Sequence, residues 1–272
     1  MARHDRRTKI VATIGPASSD EETLGRLVEA GMDGARLNFS HGSHEEHREN
    51  ARRVRAVQAS AGQSLALIAD LQGPKIRIGD LEAPVELAAG DSVVVAGEQS
   101  CREGDLPVAP DVLGTVLEPD DELLIDDGLV RLRVERVEGA RALCRVVTAG
   151  VVNAHKGVNV PGVPLPVPSL TEKDLADLAL ALELGVDYVA QSFVRSHMDV
   201  AALKARIEAA GSQAWVIAKI ELKEAVTAFE SILDVADAVM IARGDLGVEI
   251  GAAEVPLLQK RIILAALDRG KP

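Results

Sequence analysis

A chain of 272 residues, 47% of them apolar, can bury a sizeable core, while a formal charge of −12 and a pI near 5.0 exclude nucleic acid as a bulk partner, since a phosphate backbone demands a basic face. Two cysteines, Cys101 and Cys144, stand far apart without metal-ligand spacing, so neither a disulfide framework nor a structural zinc site is expected and a reducing cytoplasm is the natural setting. The polar start Met1-Ala2-Arg3-His4-Asp5-Arg6-Arg7 lacks a signal-peptide apolar region and no long apolar span follows, which sets the membrane aside.

The first element is Lys9 to Gly15, a strand-forming run broken at Gly15-Pro16. Ser18 and Ser19, with Glu21 and Glu22 three positions on, predict overlapping capping boxes for a helix striped by Leu24, Leu27 and Val28 and stopped by Gly31. A second unit opens at Gly34-Ala35-Arg36-Leu37-Asn38-Phe39-Ser40, where the period of two puts Arg36, Asn38 and Ser40 on one face. Ser43 and Glu46 start a helix to about Ser60, and Leu65 to Ala69 form a third strand ending at Asp70. The loop Leu71-Gln72-Gly73-Pro74-Lys75-Ile76-Arg77 follows it.

From about Ile78 to Val167 helical periodicity gives way to short valine-rich runs with turn signals at Asp127-Gly128 and Glu138-Gly139, the pattern of a small antiparallel β domain inserted into the first. Its proline-rich exit, Val160 to Pro168, suits a stiff strap. Strand and helix then alternate again. Ser169 and Glu172 predict a capping box before a helix striped by Leu175, Leu178, Ala179 and Leu182. Strands follow at Tyr188 to Val194, Trp215 to Ile220 and Ala238 to Ala242, between helices striped by Val200, Leu203, Ile207 and by Val226, Phe229, Leu233, and a last helix follows Pro256.

Two of these runs end in charges that a core rejects unless they have work to do: Ala218-Lys219-Ile220-Glu221 and Ile241-Ala242-Arg243-Gly244-Asp245-Leu246-Gly247. Alternation turns Lys219 and Glu221 to one side and Ile220 to the other, the layout of a site at the carboxyl ends of barrel strands. A cation, a divalent metal and an anionic substrate could meet there.

Seven motifs in order now resemble one family, the pyruvate kinases: Thr8 to Ser18, Arg36 to Gly42, Asp70 to Arg77, Lys156-Gly157-Val158-Asn159, Gln191-Ser192-Phe193-Val194-Arg195, Ala218 to Glu221 and Arg243 to Gly247. The resemblance spans nearly the whole chain. It implies an α/β fold of the (β/α)8 TIM-barrel type, here truncated to about six βα units, with the insertion as a small antiparallel β-barrel lid. Residues 1–75 and 168–272 would form the barrel domain and 76–167 the lid. It implies phosphoryl transfer from phosphoenolpyruvate to ADP, giving pyruvate and ATP, in glycolysis. Lys219, Arg36 and Arg77 would be catalytic; Arg36, Lys219, Gly244 and Asp245 would hold the substrate; Arg77, Lys156, His41 and Asn38 would meet the nucleotide; Glu221 and Asp245 would bind Mg²⁺ or Mn²⁺. Intact members form homo-oligomers.

Two departures matter. Relatives hold a monovalent cation through positions equivalent to Asn38, Ser40, Asp70 and a following threonine; here that residue is Leu71, and with Lys75 the loop resembles the potassium-independent subgroup, in which a lysine ammonium replaces the ion. K⁺ is therefore not expected to be required. The sequence also ends at Gly270-Lys271-Pro272, before the family's seventh strand with its proton-delivering threonine and before the C-terminal effector domain, and six strands cannot close an eight-strand ring. A fragment, a chain completed by a partner, or an inactive relative that still binds phosphoenolpyruvate or nucleotide would each read this way. A phosphoenolpyruvate-using lyase would share the carboxylates but needs no nucleotide lid.

Taken singly, the same residues have plainer readings. Lys219 with Glu221 would be a solvated ion pair, and Lys75, Arg77 and Lys156 surface charges. The ordered motifs reverse that weighting. His41, His44 and His47 do not share one close face and are expected at a solvent-facing helix start, not around a zinc ion.

Overall fold

The computed structural model describes residues 6–272; the polar start read at Met1 to Asp5 lies outside them. Six strands form a parallel sheet in the order β1 (Val11–Thr13), β2 (Gly34–Asn38), β3 (Ala66–Asp70), β13 (Tyr188–Gln191), β14 (Trp215–Ile220) and β15 (Ala238–Ile241). Alternate side chains serve two cores. Leu37, Leu67, Val189, Val216, Ala218 and Ile220 face outward into the layer under the helices, whereas Ile68, Ala190, Ile217 and Ala238 cluster on the inner face with Tyr188 and Met240. Burial on both faces is why these strands read as continuous apolar runs. Val11 of one edge strand and Val239 and Met240 of the other line a single groove of about 780 Å³, so the sheet is curled, and Val239 N–H donates to the carbonyl of Pro272 at 3.0 Å. Six strands are expected not to close, and β1 and β15 are the edges of this sheet.

The covering helices are α1 (Glu21–Ala30), α2 (His44–Ala61), α3 (Glu172–Glu183), α4 (His197–Ala209), α5 (Lys223–Thr227), α6 (Phe229–Val235), α7 (Arg243–Ile250) and α8 (Val255–Asp268). Ser43 and Glu46 cap α2 reciprocally as expected. Four expectations are corrected. The N-cap of α1 is Asp20, whose carboxylate accepts from Thr23 N–H at 2.8 Å, while Ser18 Oγ is used in the preceding turn, accepting from Gly15 N–H. The box of α3 sits two residues later, at Thr171 and Asp174, because buried Asp174 also accepts from Gly73 N–H at 2.9 Å and so ties the helix to the β3 loop. Ala179 faces solvent and Leu180 and Ala181 are buried instead; and the Val226 to Leu233 stripe is split between α5 and α6 at Ala228. Among the described residues no helix is long and apolar enough to cross a membrane.

The insertion closes into its own barrel. Its strands are β4 (Ile76–Ile78), β6 (Ser92–Gly97), β7 (Leu106–Ala109), β8 (Glu122–Ile125), β9 (Val130–Glu138), β10 (Arg141–Thr148) and β12 (Gly157–Asn159), with the ribbon β5 (Val85–Leu87) and β11 (Gly150–Val152) beside them. The pairing is antiparallel, as expected of the insertion, except between β6 and β7, which run parallel. Closure leaves no open edge. Cys144 is fully buried in this core, which pushes its thiol up to about 12; Cys101 is partly exposed and both are free. The chain enters through β4 and leaves through β12, and these two pair with Gly157 opposite Arg77, so the neck of the inserted barrel presents both segments to the first domain.

The exit strap is tied down at that neck. Arg195 donates to the carbonyls of Leu165 (3.0 Å) and Val167 (2.9 Å), and a small cavity beneath the strap is lined by Asn159, Gly162, Arg195, Glu224 and Glu249. Burial, then the charge of Glu224, pushes Glu249 from 4.5 up to about 7, against the opposing pull of the Lys223 and Gly162 N–H groups. The unfolded chain releases this proton near 4.5 and the folded chain keeps it to about 7, so this contribution to stability is full at low pH and is lost as pH rises through that window. In urea titrations, Glu249→Gln should therefore gain on the parent chain between pH 5 and 7.5; a pH-independent gap between the two chains would overturn the assignment.

Candidate active site

Four parallel strands end at one level, because Asn38 pairs with Asp70, Asp70 with Ala190, and Gln191 with Ala218. Their inner-face polar residues, the loop after β3, the start of α7 and the neck of the inserted barrel together line a cleft of about 370 Å³. That is within the range of small-ligand sites. Lining it are Arg36, Asn38, Ser40, His41, Lys75, Arg77, Lys156, Lys219, Glu221 and Asp245, which motifs separated by up to two hundred residues had singled out.

The floor is a chain of alternating charge. Arg36 donates through Nε to Asp70 Oδ2 at 2.7 Å and through Nη1 to Thr13 Oγ1 at 2.8 Å. Lys219 Nζ lies 3.2 Å from Asp70 Oδ1 and 2.8 Å from Glu221 Oε1, and donates to Ser192 Oγ at 2.6 Å. Phe193 N–H donates to the other oxygen, Glu221 Oε2, at 2.7 Å. Asp70 and Glu221 are each 1% exposed. A lone buried carboxylate costs several kcal/mol, about 3–5 when its partner is removed, so each group requires the next.

Burial pulls the Lys219 ammonium down, but Glu221 and then Asp70 outweigh it and hold its pKa above the usual value. Glu221 is pushed up by burial, with Asp245 adding to the rise and Lys219 opposing it. These directions, cation favoured and anion disfavoured, oppose each other within one pair, and the contacts decide between them. Lys219 faces two carboxylates and stays charged, whereas Glu221 shares that single ammonium with Asp70 while feeling Asp245 nearby.

Above the floor, Lys75 runs over Gly157, where a Cβ would sit 2.7 Å from Lys75 Cε, and its ammonium reaches Asp245 Oδ1 at 3.3 Å. The glycine lets the neck close down on the lysine. Arg77 donates to the carbonyl of His155, and Lys156 pairs with Asp126 at 3.1 Å. Gly244 is the second residue of α7, beside Asp245, with open space at its Cβ position. Asn38 Oδ1 accepts from Ser40 N–H at 3.1 Å, and Leu71 is buried with its carbonyl accepting from Ser192 Oγ at 2.7 Å.

The histidines do different jobs. His41 is exposed at the cleft, and His44 pairs with Asp177 at 2.7 Å. His47, expected at a solvent-facing helix start, is buried: it stacks on Phe39 and donates from Nε2 to the His41 carbonyl, and burial lowers its pKa. Among the described residues, no group of three or more His, Cys, Asp or Glu could hold a metal. A divalent ion would rest on Glu221 and Asp245 alone, with water and substrate oxygens completing its shell. Two neighbouring carboxylates, Glu221 buried at the floor of the cleft and Asp245 on its lining, fit Mg²⁺, which keeps several waters and takes few protein ligands.

Thr13, Ser192 and Phe193 were not singled out as site residues from sequence. Their signal was faint. Ser192 is a polar residue directly after an apolar strand, the same signature that marks Asp70 and Glu221.

A family model described as the barrel domain of pyruvate kinase matches residues 5–272. The chain is 46% identical to a pyruvate kinase of Corynebacterium efficiens and 45% identical to one of Corynebacterium glutamicum, each over 270 residues that are 98% of this chain and 57% of the relative. It is 44% identical over 273 residues to a protein named pyruvate kinase 2 in Synechocystis, covering 98% of this chain and 46% of the relative. The chain thus spans about half the length of the curated relatives it matches.

Removing one member of the charge chain should expose its dependence on the next. Lys219→Met is expected to cost about 3–5 kcal/mol in urea unfolding, because Asp70 and Glu221 lose their buried counter-charge. Adding Glu221→Gln should recover at least about 1 kcal/mol of it. A double variant no more stable than Lys219→Met alone would show that the pair is not coupled.

Proposed function

The chain belongs to the pyruvate kinase family, and on that premise we propose that it transfers the phosphoryl group of phosphoenolpyruvate to ADP, giving pyruvate and ATP, as a glycolytic enzyme of the cytoplasm. Residues 1–75 and 168–272 are proposed as its barrel domain and 76–167 as the nucleotide lid. The observation that carries the reading is the meeting of Lys219, Glu221, Asp245 and Arg36 with the lid residues Arg77 and Lys156 in one cleft. A lyase acting on the same enol would leave the lid side of that cleft without a task.

Glu221 and Asp245 would hold Mg²⁺ or Mn²⁺, which when bound supplies a Lewis acid for substrate oxygens. Lys219, kept charged by two carboxylates and nearly dry, stabilises negative charge on the phosphoryl group in flight and on the enolate oxygen it leaves. Fixed charge in such a setting needs no reorganisation. Arg36 and Arg77 offer planar forks to the phosphoryl oxygens from the barrel and from the lid neck. The N–H groups of Gly244 and Asp245, in the first turn of α7, suit the substrate carboxylate. Lys156, Arg77, His41 and Asn38 are proposed to contact the nucleotide, with Lys156 carried by the lid as it closes. Phosphoenolpyruvate, ADP, ATP and pyruvate are its ligands in this reading, and the assembled enzyme is a homo-oligomer.

Lys75 is proposed to stand in for a monovalent cation. The candidate ligands of such an ion already have internal donors: Ser40 N–H on Asn38, Arg36 and Lys219 on Asp70, and Ser192 on the Leu71 carbonyl. Lys75 adds a fixed positive charge on the rim of the same cleft.

With phosphoenolpyruvate, ADP and Mg²⁺, the purified polypeptide should form pyruvate in a coupled assay, and Lys219→Met should slow it by about 10²–10³-fold. No pyruvate above an enzyme-free control would overturn the proposed activity. Turnover should be alike in sodium and potassium, and Lys75→Glu should create a potassium requirement; strong potassium activation of the unaltered chain would reject the lysine substitute.

A further inference from the structure

We propose that Ser192 and Phe193 form a positioning elbow that aims Lys219 and Glu221; the inference deepens the phosphoryl-transfer reading and rests on it. Directly after β13, before α4 begins at His197, the backbone of Phe193 takes a φ of +54°, in the left-handed region that side chains other than glycine rarely adopt. Such a conformation is strained and persists only where its surroundings impose it. Here the strained turn points the Phe193 N–H at Glu221 Oε2, 2.7 Å away. An extended residue at that position would turn the same N–H elsewhere.

The neighbouring side chain acts on the lysine. Ser192 is 3% exposed; its hydroxyl donates its single proton to the Leu71 carbonyl at 2.7 Å, which leaves its lone pairs toward Lys219 Nζ at 2.6 Å, and its oxygen lies 3.5 Å from Asp70 Oδ1. Leu71 therefore sets the direction of the hydroxyl, and the hydroxyl gives the ammonium a third anchor beside Asp70 and Glu221. A lysine with two carboxylates alone can swing between them. With all three donors engaged it is held in one place.

The elbow is locked from behind. Gly73, at φ +72°, lies so close that a Cβ there would stand 2.8 Å from the Phe193 ring and 3.0 Å from Ser192 Cβ, and its N–H is held by buried Asp174. Asp174, Gly73 and the elbow thus form a wedge between α3 and the floor of the cleft. None of them is proposed to touch substrate. Residues supporting ligands in this way typically shift metal affinity or activity by about 10-fold or more when removed.

The test is Mn²⁺ binding to the whole chain, read from the electron paramagnetic resonance signal of the free ion, for the parent, Ser192→Ala and Gly73→Ala, with thermal melts to establish that each variant is folded. The parent should bind, and both variants should bind about 10-fold more weakly; in the coupled assay Ser192→Ala should lower kcat about 10-fold and leave KM for phosphoenolpyruvate within about twofold. A merely structural serine would lower Tm without moving Mn²⁺ affinity, and that result overturns the elbow. If Ser192→Ala fails to fold, Gly73→Ala carries the test, and its binding Mn²⁺ as the parent does would likewise overturn it. A parent chain that binds no Mn²⁺ overturns the metal assignment on which the elbow depends, whereas a binding parent with unaffected variants overturns the elbow alone.

Discussion

The constraint on which the site depends is electroneutrality in a dry place. Arg36, Asp70, Lys219 and Glu221 alternate in sign along the carboxyl ends of three parallel strands, and both carboxylates are nearly sealed from water. Breaking any link leaves a buried ion whose solvation cannot be replaced, so the strands must keep their registers and the loops their turns. Such a network adds little net stability over a well-packed apolar core. Its value lies in holding an ammonium charged where water would otherwise screen it.

Placement of the inserted barrel follows from the same floor. The loop after β3 carries Leu71, whose carbonyl fixes Ser192, then Gly73, which Asp174 holds, then Lys75 and Arg77 as the chain passes into β4. Seven residues thus connect the dry floor to the neck. β12 returns antiparallel beside β4, Gly157 makes room for Lys75, and Arg195 clamps the departing strap. Because Arg195 stands only two residues beyond Phe193, the strap and the elbow share one short segment.

Much of this was legible in sequence where side-chain periodicity and burial agree. The period of two in Ala218 to Glu221 foretold that Lys219 and Glu221 share a face while Ile220 enters the outer core, and the Ser43–Glu46 spacing marked the start of α2. Local signals failed where tertiary contacts chose among near-equal options: Asp20 capped α1 although two serines preceded it, and Asp174 drew the start of α3 forward by bonding Gly73. His47 looked solvent-facing in a polar run, yet stacking on Phe39 buries it. The left-handed turn at Phe193 had no sequence mark, since phenylalanine does not favour it; tertiary contacts, Glu221 a strand away and Gly73 behind the ring, account for it.

The cleft is also closed upon itself in charge. Lys75 is spent on Asp245, Lys156 on Asp126, and Arg77 on the His155 carbonyl. In the proposed reaction a phosphate-bearing ligand has to draw these groups from their present partners, and each one drawn away leaves an acceptor uncovered. Asp245 uncovered beside Glu221 is a pair of like charges that favours a divalent cation. On the proposed reading, anionic substrate and cation would therefore favour each other's binding through the same carboxylate, and by linkage the coupling would be reciprocal. Lys75 sits at the exchange point, its ammonium 3.3 Å from Asp245 Oδ1 on the rim of the same cleft.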